Sequence, residues 1–252
     1  MINPMDLSDR TILITGASSG IGRETAILLG QLGARVVLVG RNEERLKETA
    51  KSLDGNRSWI EPYDLTATDE IPSWVKGVVA KTGPLSGLVH SAGVQVTVPL
   101  KLLRNQHISE VMHINLNAAI ALARGFRQKG MHSPHSSLVF LSSARGLVGQ
   151  SGLSAYAASK GAVIALTKSL AVELAREQIR VNCVAPAYVK TEMIDKMQAQ
   201  MTPEEFRRIE EMHPLGLGTA LDVAYAIAFL LANTGRWITG TTLVVDGGYT
   251  AH

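Results

Sequence analysis

The chain of 252 residues has a single cysteine, few aromatic residues, little net charge and no long apolar run. Cys183 cannot form an internal disulfide, which fits a reducing compartment, and its apolar neighbours predict a buried hydrophobic role. The formal charge of +3 is spread along the chain and aromatics make up 5%, so nucleic-acid binding is not indicated. The first residues lack the pattern of a secretory signal, and no apolar run reaches the roughly 18 residues of a membrane span. We therefore expect a cytoplasmic protein without nucleic-acid or membrane partners.

Short apolar segments alternate with segments of helical periodicity from end to end. Strands are predicted at residues 11–15, 35–39, 57–62, 86–90, 137–142, 179–185 and 242–246. Helices are predicted at residues 21–33, 42–53, 67–81, 109–128, 154–177 and 221–232. This alternation is typical of an α/β fold in which a parallel sheet carries helices on both faces. No linker divides the chain, so residues 1–252 are expected to form one domain, with the irregular segment 191–220 as a substrate lid.

A glycine-rich turn follows the first predicted strand. Gly16, Gly20 and Gly22 in TGASSGIG are spaced G-x3-G-x-G, and a predicted helix begins among them. Glycine lets the backbone turn sharply and lets a ligand approach the amide groups, and a helix N-terminus favours phosphate. A plain strand–helix turn also contains glycine often, but the strand–turn–helix–strand context indicates the pyrophosphate site of a dinucleotide.

The end of the second predicted strand bears on which dinucleotide fits. A carboxylate there would bind the ribose 2′-hydroxyl of NAD, whereas this strand ends in Gly40 and Arg41. A guanidinium can pair with a 2′-phosphate through charge-assisted hydrogen bonds, so NADP(H) is favoured over NAD(H). The alternative is an arginine that points into solvent or pairs with Glu43 and Glu44.

Tyr156 and Lys160 lie four residues apart in a predicted helix and therefore share one face. Reduction of a ketone by hydride transfer leaves an alkoxide, which must receive a proton. A tyrosine hydroxyl, with an unperturbed pKa of about 10, can exchange that proton near neutral pH only if its anion is stabilised. The Lys160 ammonium is placed to do so, and Ser143 at the end of a predicted strand could hydrogen-bond the carbonyl oxygen.

These features occur with further short motifs in a fixed order. They are TGASSGIG, Asp64–Leu65, SAG at 91–93, HINL around Asn115, SSA at 142–144, YAASK, VNCVAPAYVKT ending at Thr191, and VDGG ending at Gly248. The ordered set resembles the short-chain dehydrogenase/reductase family from about Leu7 to Gly248. In length and motif layout the chain is most similar to 3-oxoacyl-carrier-protein reductases of that family.

The resemblance implies a fold, a catalytic set and an assembly. The fold would be a single Rossmann-type, doubly wound parallel sheet of about seven strands. The catalytic residues would be Tyr156 as proton donor or acceptor, Lys160, Ser143 and Asn115, the last supporting a water relay to Lys160. Family members commonly form dimers or tetramers, often through the helix that carries the Tyr/Lys pair, so a homodimer or homotetramer is expected.

The resemblance also assigns cofactor and substrate contacts. The cofactor would be held by Gly16, Ser18, Ser19, Gly20, Ile21, Gly22, Arg41, Asp64, Leu65, Ser91, Ala92, Gly93, Tyr156, Lys160, Pro186, Val189 and Thr191. The substrate would contact Ser143, Arg145, Gln150, Tyr156, Tyr188 and Met193, and Gly146, Leu147, Val148 and Leu153 would complete its pocket. No metal site is expected.

The chain departs from the family pattern at three places. The usual NNAG reads HSAG, so the smaller Ser91 replaces an asparagine that would brace the central strands; PG reads Pro186-Ala187-Tyr188; and PLGR reads PLGL, ending at Leu217. None of these departures affects the catalytic set. They favour a divergent substrate specificity or cofactor position over an inactive protein.

The substrate itself is left open. The expected pocket is mostly apolar, and no basic residue stands out as a carboxylate ligand, which favours a neutral or thioester-linked ketone. Met193, Met197 and Met201 at i, i+4 and i+8 could form an apolar lid face, or could simply pack against the body of the protein. The hypotheses are an NADP-dependent ketone/alcohol oxidoreductase, possibly for 3-oxoacyl thioesters, an enzyme for a sugar, polyol, steroid or xenobiotic ketone, or a dinucleotide-binding regulator or scaffold.

Overall fold

The computed structural model describes residues 3–53, 58–199 and 201–251, without the side chains of Met193 and Lys196. Its strands are β1 (Thr11–Thr15), β2 (Arg35–Gly40), β3 (Ser58–Pro62), β4 (Leu85–His90), β5 (His132–Leu141), β6 (Arg180–Pro186), β7 (Val189–Lys190), β8 (Gly218–Thr219) and β9 (Thr242–Val245). Its α-helices are α1 (Gly20–Gln31), α2 (Glu43–Lys51), α3 (Ile71–Thr82), α4 (Asn105–Met112), α5 (Ala118–Phe126), α6 (Ser154–Leu174), α7 (Glu192–Gln198), α8 (Pro203–Glu211) and α9 (Ala220–Leu231). A π turn spans His113–Asn117, and 3-10 turns span Leu100–Leu102, Ala144–Gly146, Ala175–Glu177 and Asn233–Gly235.

The main sheet has seven parallel strands in the order β3-β2-β1-β4-β5-β6-β9. The strand order therefore reverses between β1 and β4, and such a switch point leaves a crevice at the carboxyl ends of the strands. β7 and β8 form a separate parallel pair near this edge. The expected α/β fold, a Rossmann-type doubly wound sheet with helices on both faces, is confirmed.

The alternation of side chains along β1 explains why helices cover both faces. Ile12 and Ile14 point to one face, where they belong to the core built with α1 and α9. Leu13 points to the other face and belongs to the core built with α3, α5 and α6. All three side chains are fully buried, as expected for a central parallel strand.

The main differences from the sequence prediction lie between residues 105 and 141. The predicted helix at 109–128 begins at Asn105 and is interrupted by the π turn that contains Asn115. β5 begins at His132, five residues before its predicted start, because His132 pairs with Leu85 of β4 ahead of an irregular register. The polar HSPHSS stretch hid this extension, since it lacks the apolar pattern of a buried strand.

The segment 191–220 also has structure of its own. It contains α7 and α8, and α8 begins with a capping box between Thr202 and Glu205 followed by Pro203. That Thr-Pro-Glu-Glu pattern is a recognised helix-start signal and predicts α8 from the sequence. Among all the described residues, no helix is both long and apolar enough to cross a membrane.

Candidate active site

A cavity of about 580 Å³ lies along the carboxyl ends of the parallel strands. Residues that immediately follow six of the strands line it, namely Gly16, Arg41, Tyr63, Ser91, Ser142 and Ala187. Ile194 and Met197 of α7 line the same cavity from the segment 191–220. Every residue predicted to hold the cofactor, from Gly16 to Thr191, lies on this wall.

The glycine turn is shaped to receive a phosphate. Gly16 has φ +71°, a conformation that L side chains rarely adopt, and a Cβ on Gly22 would lie 2.3 Å from the carbonyl oxygen of Gly16. α1 can therefore start directly against the turn. Ser19 at its N-cap makes no side-chain hydrogen bond to the first turn, so the first amide groups stay available to an anion. These residues fit the pyrophosphate of a dinucleotide.

Arg41 follows β2 at the far end of the cavity and is exposed. The carboxylates that could have paired with it bind Lys47 instead, whose Nζ lies 3.0 Å from Glu43 Oε1 and 2.8 Å from Glu44 Oε1. Among the described residues Arg41 forms no salt bridge. Its charge acts on the Asp64 carboxylate, and its exposed guanidinium can be reached by a phosphate group.

The two serines after β5 have different partners. Ser142 Oγ donates to the carbonyl oxygen of Lys160 at 2.8 Å and so fastens β5 to α6. Ser143 Oγ accepts from the backbone N–H of Arg145 at 3.2 Å, donates to the carbonyl oxygen of Pro186 at 3.4 Å, and lies close enough to Tyr156 to act on the pKa of its hydroxyl. The structure therefore places Ser143, and not Ser142, beside the phenol.

Tyr156 is partly exposed in the cavity wall and Lys160 is buried behind it. Burial raises the pKa of Tyr156, while the Ser143 hydrogen bond and the Arg145 charge act to lower it. Lys160 Nζ donates to the carbonyl oxygen of Leu141 at 2.7 Å and lies 5.8 Å from the centre of the Tyr156 ring. Burial lowers the pKa of Lys160 to about 8. The expected action of Lys160 on the Tyr156 anion stays a prediction.

Asn115 does not line the cavity but supports its wall. Its Oδ1 accepts from the N–H of Val94 at 2.9 Å, and its Nδ2 donates to the carbonyl of Val94 and to Ser159 Oγ, each at 3.0 Å. A Cβ on Gly93 would lie 3.2 Å from Asn115 Oδ1 and 3.4 Å from Lys160 Nζ. Asn115 thus connects the loop after β4 to α6 next to Lys160, from a π turn of the kind often found at functional sites.

Sequence reasoning missed the role of His90. This fully buried imidazole has Nδ1 at 2.9 Å from Thr15 Oγ1 and Nε2 at 3.1 Å from the carbonyl oxygen of Ile114. A carbonyl only accepts, so Nε2 carries the proton and Nδ1 accepts from Thr15 Oγ1, which itself accepts from the N–H of Ala92. The bracing expected to be lost at Ser91 is provided by His90. The sequence feature that could have indicated this role is the HSAG motif, in which His90 directly precedes Ser91, the position that departs from the family pattern.

The substrate end of the cavity differs from the expected pocket. Leu153 and Tyr188 line it, whereas Gly146, Leu147 and Val148 do not. Gln150 is exposed and accepts a hydrogen bond from the Tyr188 hydroxyl at 3.2 Å, and the Met193 side chain lies outside the described residues. Arg145, which was expected to contact the substrate, lines this end and is only 8% exposed, so a basic residue lies in a pocket that was expected to be mostly apolar.

Three comparisons with known proteins agree with this geometry. Residues 16–250 match a family model described as enoyl-(acyl carrier protein) reductase. The chain is 39% identical over 245 residues to a 3-oxoacyl-[acyl-carrier-protein] reductase of Rickettsia prowazekii, covering 97% of this chain and 98% of that one. It is 35% identical over 247 residues to the protein of that name from Thermotoga maritima, with 97% and 99% covered. A crystal structure of a short-chain dehydrogenase/reductase, glucose/ribitol dehydrogenase, from Brucella melitensis superposes with a TM-score of 0.90 at 30% identity, covering 97% and 98%.

Proposed function

Because the chain belongs to the short-chain dehydrogenase/reductase family, we propose that it is an NADP-dependent enzyme that interconverts a ketone and a secondary alcohol. Family membership makes the protein an NAD(P)-dependent oxidoreductase. The preference for the phosphorylated cofactor, the carbonyl chemistry and the residue roles are the proposal. The observation that carries it is the position of Ser143, Tyr156 and Lys160 in the same cavity wall as the glycine turn.

Each residue of the proposed catalytic set has a separate task. A bound nicotinamide cofactor would supply or accept the hydride. Ser143 orients the carbonyl oxygen by a hydrogen bond, and Tyr156 donates a proton to that oxygen or takes it back from the alcohol. Lys160, buried next to Tyr156, places a positive charge near the phenol and favours its anion. Asn115 keeps the loop after β4 and α6 together.

The cofactor preference rests on Arg41. A 2′-phosphate at the end of β2 would meet a guanidinium that forms no salt bridge among the described residues. The amide groups at the start of α1 would bind the pyrophosphate, and Val189 and Thr191 would bind the nicotinamide carboxamide. NADP(H) is therefore favoured over NAD(H).

The comparisons name two classes of substrate. The names of the curated relatives favour a 3-oxoacyl thioester, and the name of the Brucella melitensis structure favours a sugar or polyol. A basic patch for an acidic carrier protein has little support, because Arg127 already pairs with Glu177, at 2.6 Å, and with Glu173, at 3.9 Å. We further propose that residues 191–220 form a substrate lid within a single domain, since Ile194 and Met197 line the cavity, and that the protein is a homodimer or homotetramer.

A ketone panel assayed by the absorbance of NADPH tests the function. Ethyl 3-oxobutanoate, an acetoacetyl thioester, a cyclic ketone and a keto sugar would be offered with NADPH and with NADH. We expect turnover of at least one ketone, tighter binding of NADPH than of NADH by calorimetry, and loss of turnover in Tyr156→Phe with little change in NADPH affinity. The last result is expected because the phenol moves a proton whereas the cofactor is held mainly by other residues.

Two outcomes contradict the proposal. Equal affinity for the two cofactors would overturn the role of Arg41. A Tyr156→Phe variant that keeps the wild-type rate would overturn the proton-transfer role of Tyr156.

A further inference from the structure

An arginine is built into the substrate end of the cavity. Arg145 lies in the 3-10 turn Ala144–Gly146, two residues after Ser143, and its backbone N–H donates to Ser143 Oγ at 3.2 Å. Its side chain is 8% exposed and faces the cavity that Tyr156 also lines. Ser143, which would orient the carbonyl, and Arg145, the buried cation, thus belong to one short turn.

Aromatic rings from two distant segments hold the guanidinium in place. Its central carbon lies 5.2 Å from the centre of the Tyr188 ring and 4.7 Å from the centre of the Tyr249 ring, and it donates a hydrogen bond to the Tyr249 hydroxyl. His213 stacks on Tyr249 with 4.9 Å between ring centres and meets Tyr188 edge-on at 5.5 Å. Contacts with aromatic rings stabilise a cation and fix its orientation.

The charge of Arg145 has no counter-charge in the described part of the chain. No carboxylate there lies within salt-bridge distance of it. Burial of an unpaired cation is unfavourable, and two aromatic rings offset only part of the loss of hydration. The guanidinium has five N–H donors, and the Tyr249 hydroxyl is the only side-chain acceptor recorded for them among the described residues. The remaining donors can serve a molecule in the cavity.

We propose that Arg145 is a specificity-determining residue that binds the carboxylate of an oxo acid, or of the corresponding hydroxy acid, whose carbonyl is held at Ser143 and Tyr156. This inference rests on the proposed function and narrows its substrate class from a neutral ketone to an anionic one. A planar guanidinium matches a carboxylate with two parallel hydrogen bonds. Arg145 lines the same cavity as Tyr156 and its charge acts on the Tyr156 hydroxyl, so the carboxylate and the carbonyl of one short molecule such as a 3-oxo acid can reach both residues.

Two substrates that share the 3-oxobutanoyl group, one anionic and one neutral, test the role of the carboxylate. The kcat/KM with NADPH would be measured for 3-oxobutanoate and for its ethyl ester, in wild type and in Arg145→Met. For the acid we expect a fall of about 10- to 100-fold, mostly in KM, because a charge-assisted pair is lost. For the ester we expect a smaller fall, of a few-fold, because loss of the Arg145 charge also acts on Tyr156; the ratio of the two kcat/KM values reports the carboxylate contact. Arg236→Met, at an exposed arginine outside the cavity, is the matched control and should leave both values unchanged.

Two milder variants guard against a folding defect in Arg145→Met. Arg145→Lys keeps the positive charge but cannot form two parallel hydrogen bonds with a carboxylate. Tyr249→Phe keeps the guanidinium but removes the hydroxyl that binds it. Each variant should reduce the preference for the acid over the ester only in part. Calorimetric titration of 3-hydroxybutanoate into the NADP⁺-saturated protein measures the carboxylate site independently of turnover. It should bind wild type about 10- to 100-fold more tightly than Arg145→Met.

The failure of this inference differs from the failure of the proposed function. If 3-hydroxybutanoate does not bind, or if Arg145→Met weakens acid and ester equally, the anion site is overturned while ketone reduction stands. If the acid binds through Arg145 but no ketone is turned over, the anion site stands and the proposed reaction is overturned.

Discussion

At the scale of single residues, His90 joins three parts of the site. It accepts from Thr15 at the end of β1, belongs to β4, and donates to Ile114 in the π turn that carries Asn115. The imidazole must be neutral in this arrangement, because a proton on Nδ1 would remove the acceptor for Thr15. Burial, together with the nearby Lys160 charge, lowers the pKa of His90 from 6.5 to about 3. His90 therefore stays neutral in the folded protein at pH values at which it is protonated in the unfolded chain.

His90→Asn should make the protein less sensitive to acid. Between pH 6.5 and about 3 the unfolded chain protonates His90 and the folded chain does not, so the stability associated with neutral His90 is lost as the pH falls through this window. Asparagine keeps one donor and one acceptor without titrating. Urea titrations at pH 7, 6, 5 and 4 would give the free energy of unfolding of wild type and of His90→Asn. The difference, wild type minus variant, should decrease as the pH is lowered, with a slope approaching about 1.4 kcal/mol per pH unit. A difference that stays constant with pH would contradict the neutral state assigned to His90.

The residues of the site were unequally visible in the sequence. Tyr156, Lys160 and the glycine turn were found because local spacing alone fixes their relation: one helical turn, or one strand–helix junction. Tyr249 lies 104 residues from Arg145, and its contact with the guanidinium depends on the whole fold, so no local pattern indicated it. The buried cation was thus expected to touch substrate while its aromatic support was missed.

At the scale of elements, the turn after Ser143 fits closely against α6. A Cβ on Gly146 would lie 2.9 Å from both the N of Gly161 and the carbonyl carbon of Lys160, which are backbone atoms that cannot move aside independently. Gly146 thus allows the turn that carries Ser143 and Arg145 to approach the helix that carries Tyr156 and Lys160. The position of Ser143 relative to Tyr156 therefore depends on the absence of a side chain at Gly146.

Gly146→Ala should therefore damage both stability and activity. Forcing a methyl group into this contact should lower the free energy of unfolding by about 1–3 kcal/mol. It should also lower kcat/KM on the order of 10- to 100-fold, because Ser143 moves relative to Tyr156. Gly149→Ala is the matched control: it lies in the same loop, has no atom within 4 Å of the added Cβ, and should change neither quantity. Equal effects of the two substitutions would show that the close approach of Gly146 is unimportant.

The sequence predicted the central strands well and the connections poorly. β1, β2 and β4 are fully or largely buried apolar runs, and such runs mark parallel strands directly. No sequence pattern indicated that the predicted helix is interrupted at His113–Asn117. A π turn depends on tertiary contacts such as those of Asn115 with Val94. β7 and β8 are two residues each and pair only with one another, too short for any periodicity.

At the scale of the whole molecule, a stripe of small apolar residues runs along the exposed side of α6. Ala158, Ala165 and Val172 are all exposed in the single chain, Val172 by 81%, and they recur at seven-residue spacing on one face. The opposite face of α6 buries Ser159, Lys160 and Val163 against the body of the protein. The small alanine side chains would let α6 of a second copy approach closely, in an interface with two-fold symmetry.

Ala165→Glu should therefore weaken self-association. We expect wild type to have a mass that is a multiple of the 27.0 kDa chain in sedimentation or light scattering. A charged and larger side chain at the centre of the Ala158–Val172 stripe would prevent the close approach of the two helices, so the variant should shift towards a smaller species. Ala80→Glu, at an exposed alanine on α3, adds the same charge elsewhere and should leave the mass unchanged. Because α6 also carries Tyr156 and Lys160, the dissociated variant should lose activity on dilution while Ala80→Glu does not. A wild-type protein of 27.0 kDa in solution, or equal behaviour of the two variants, would remove α6 as the contact between copies.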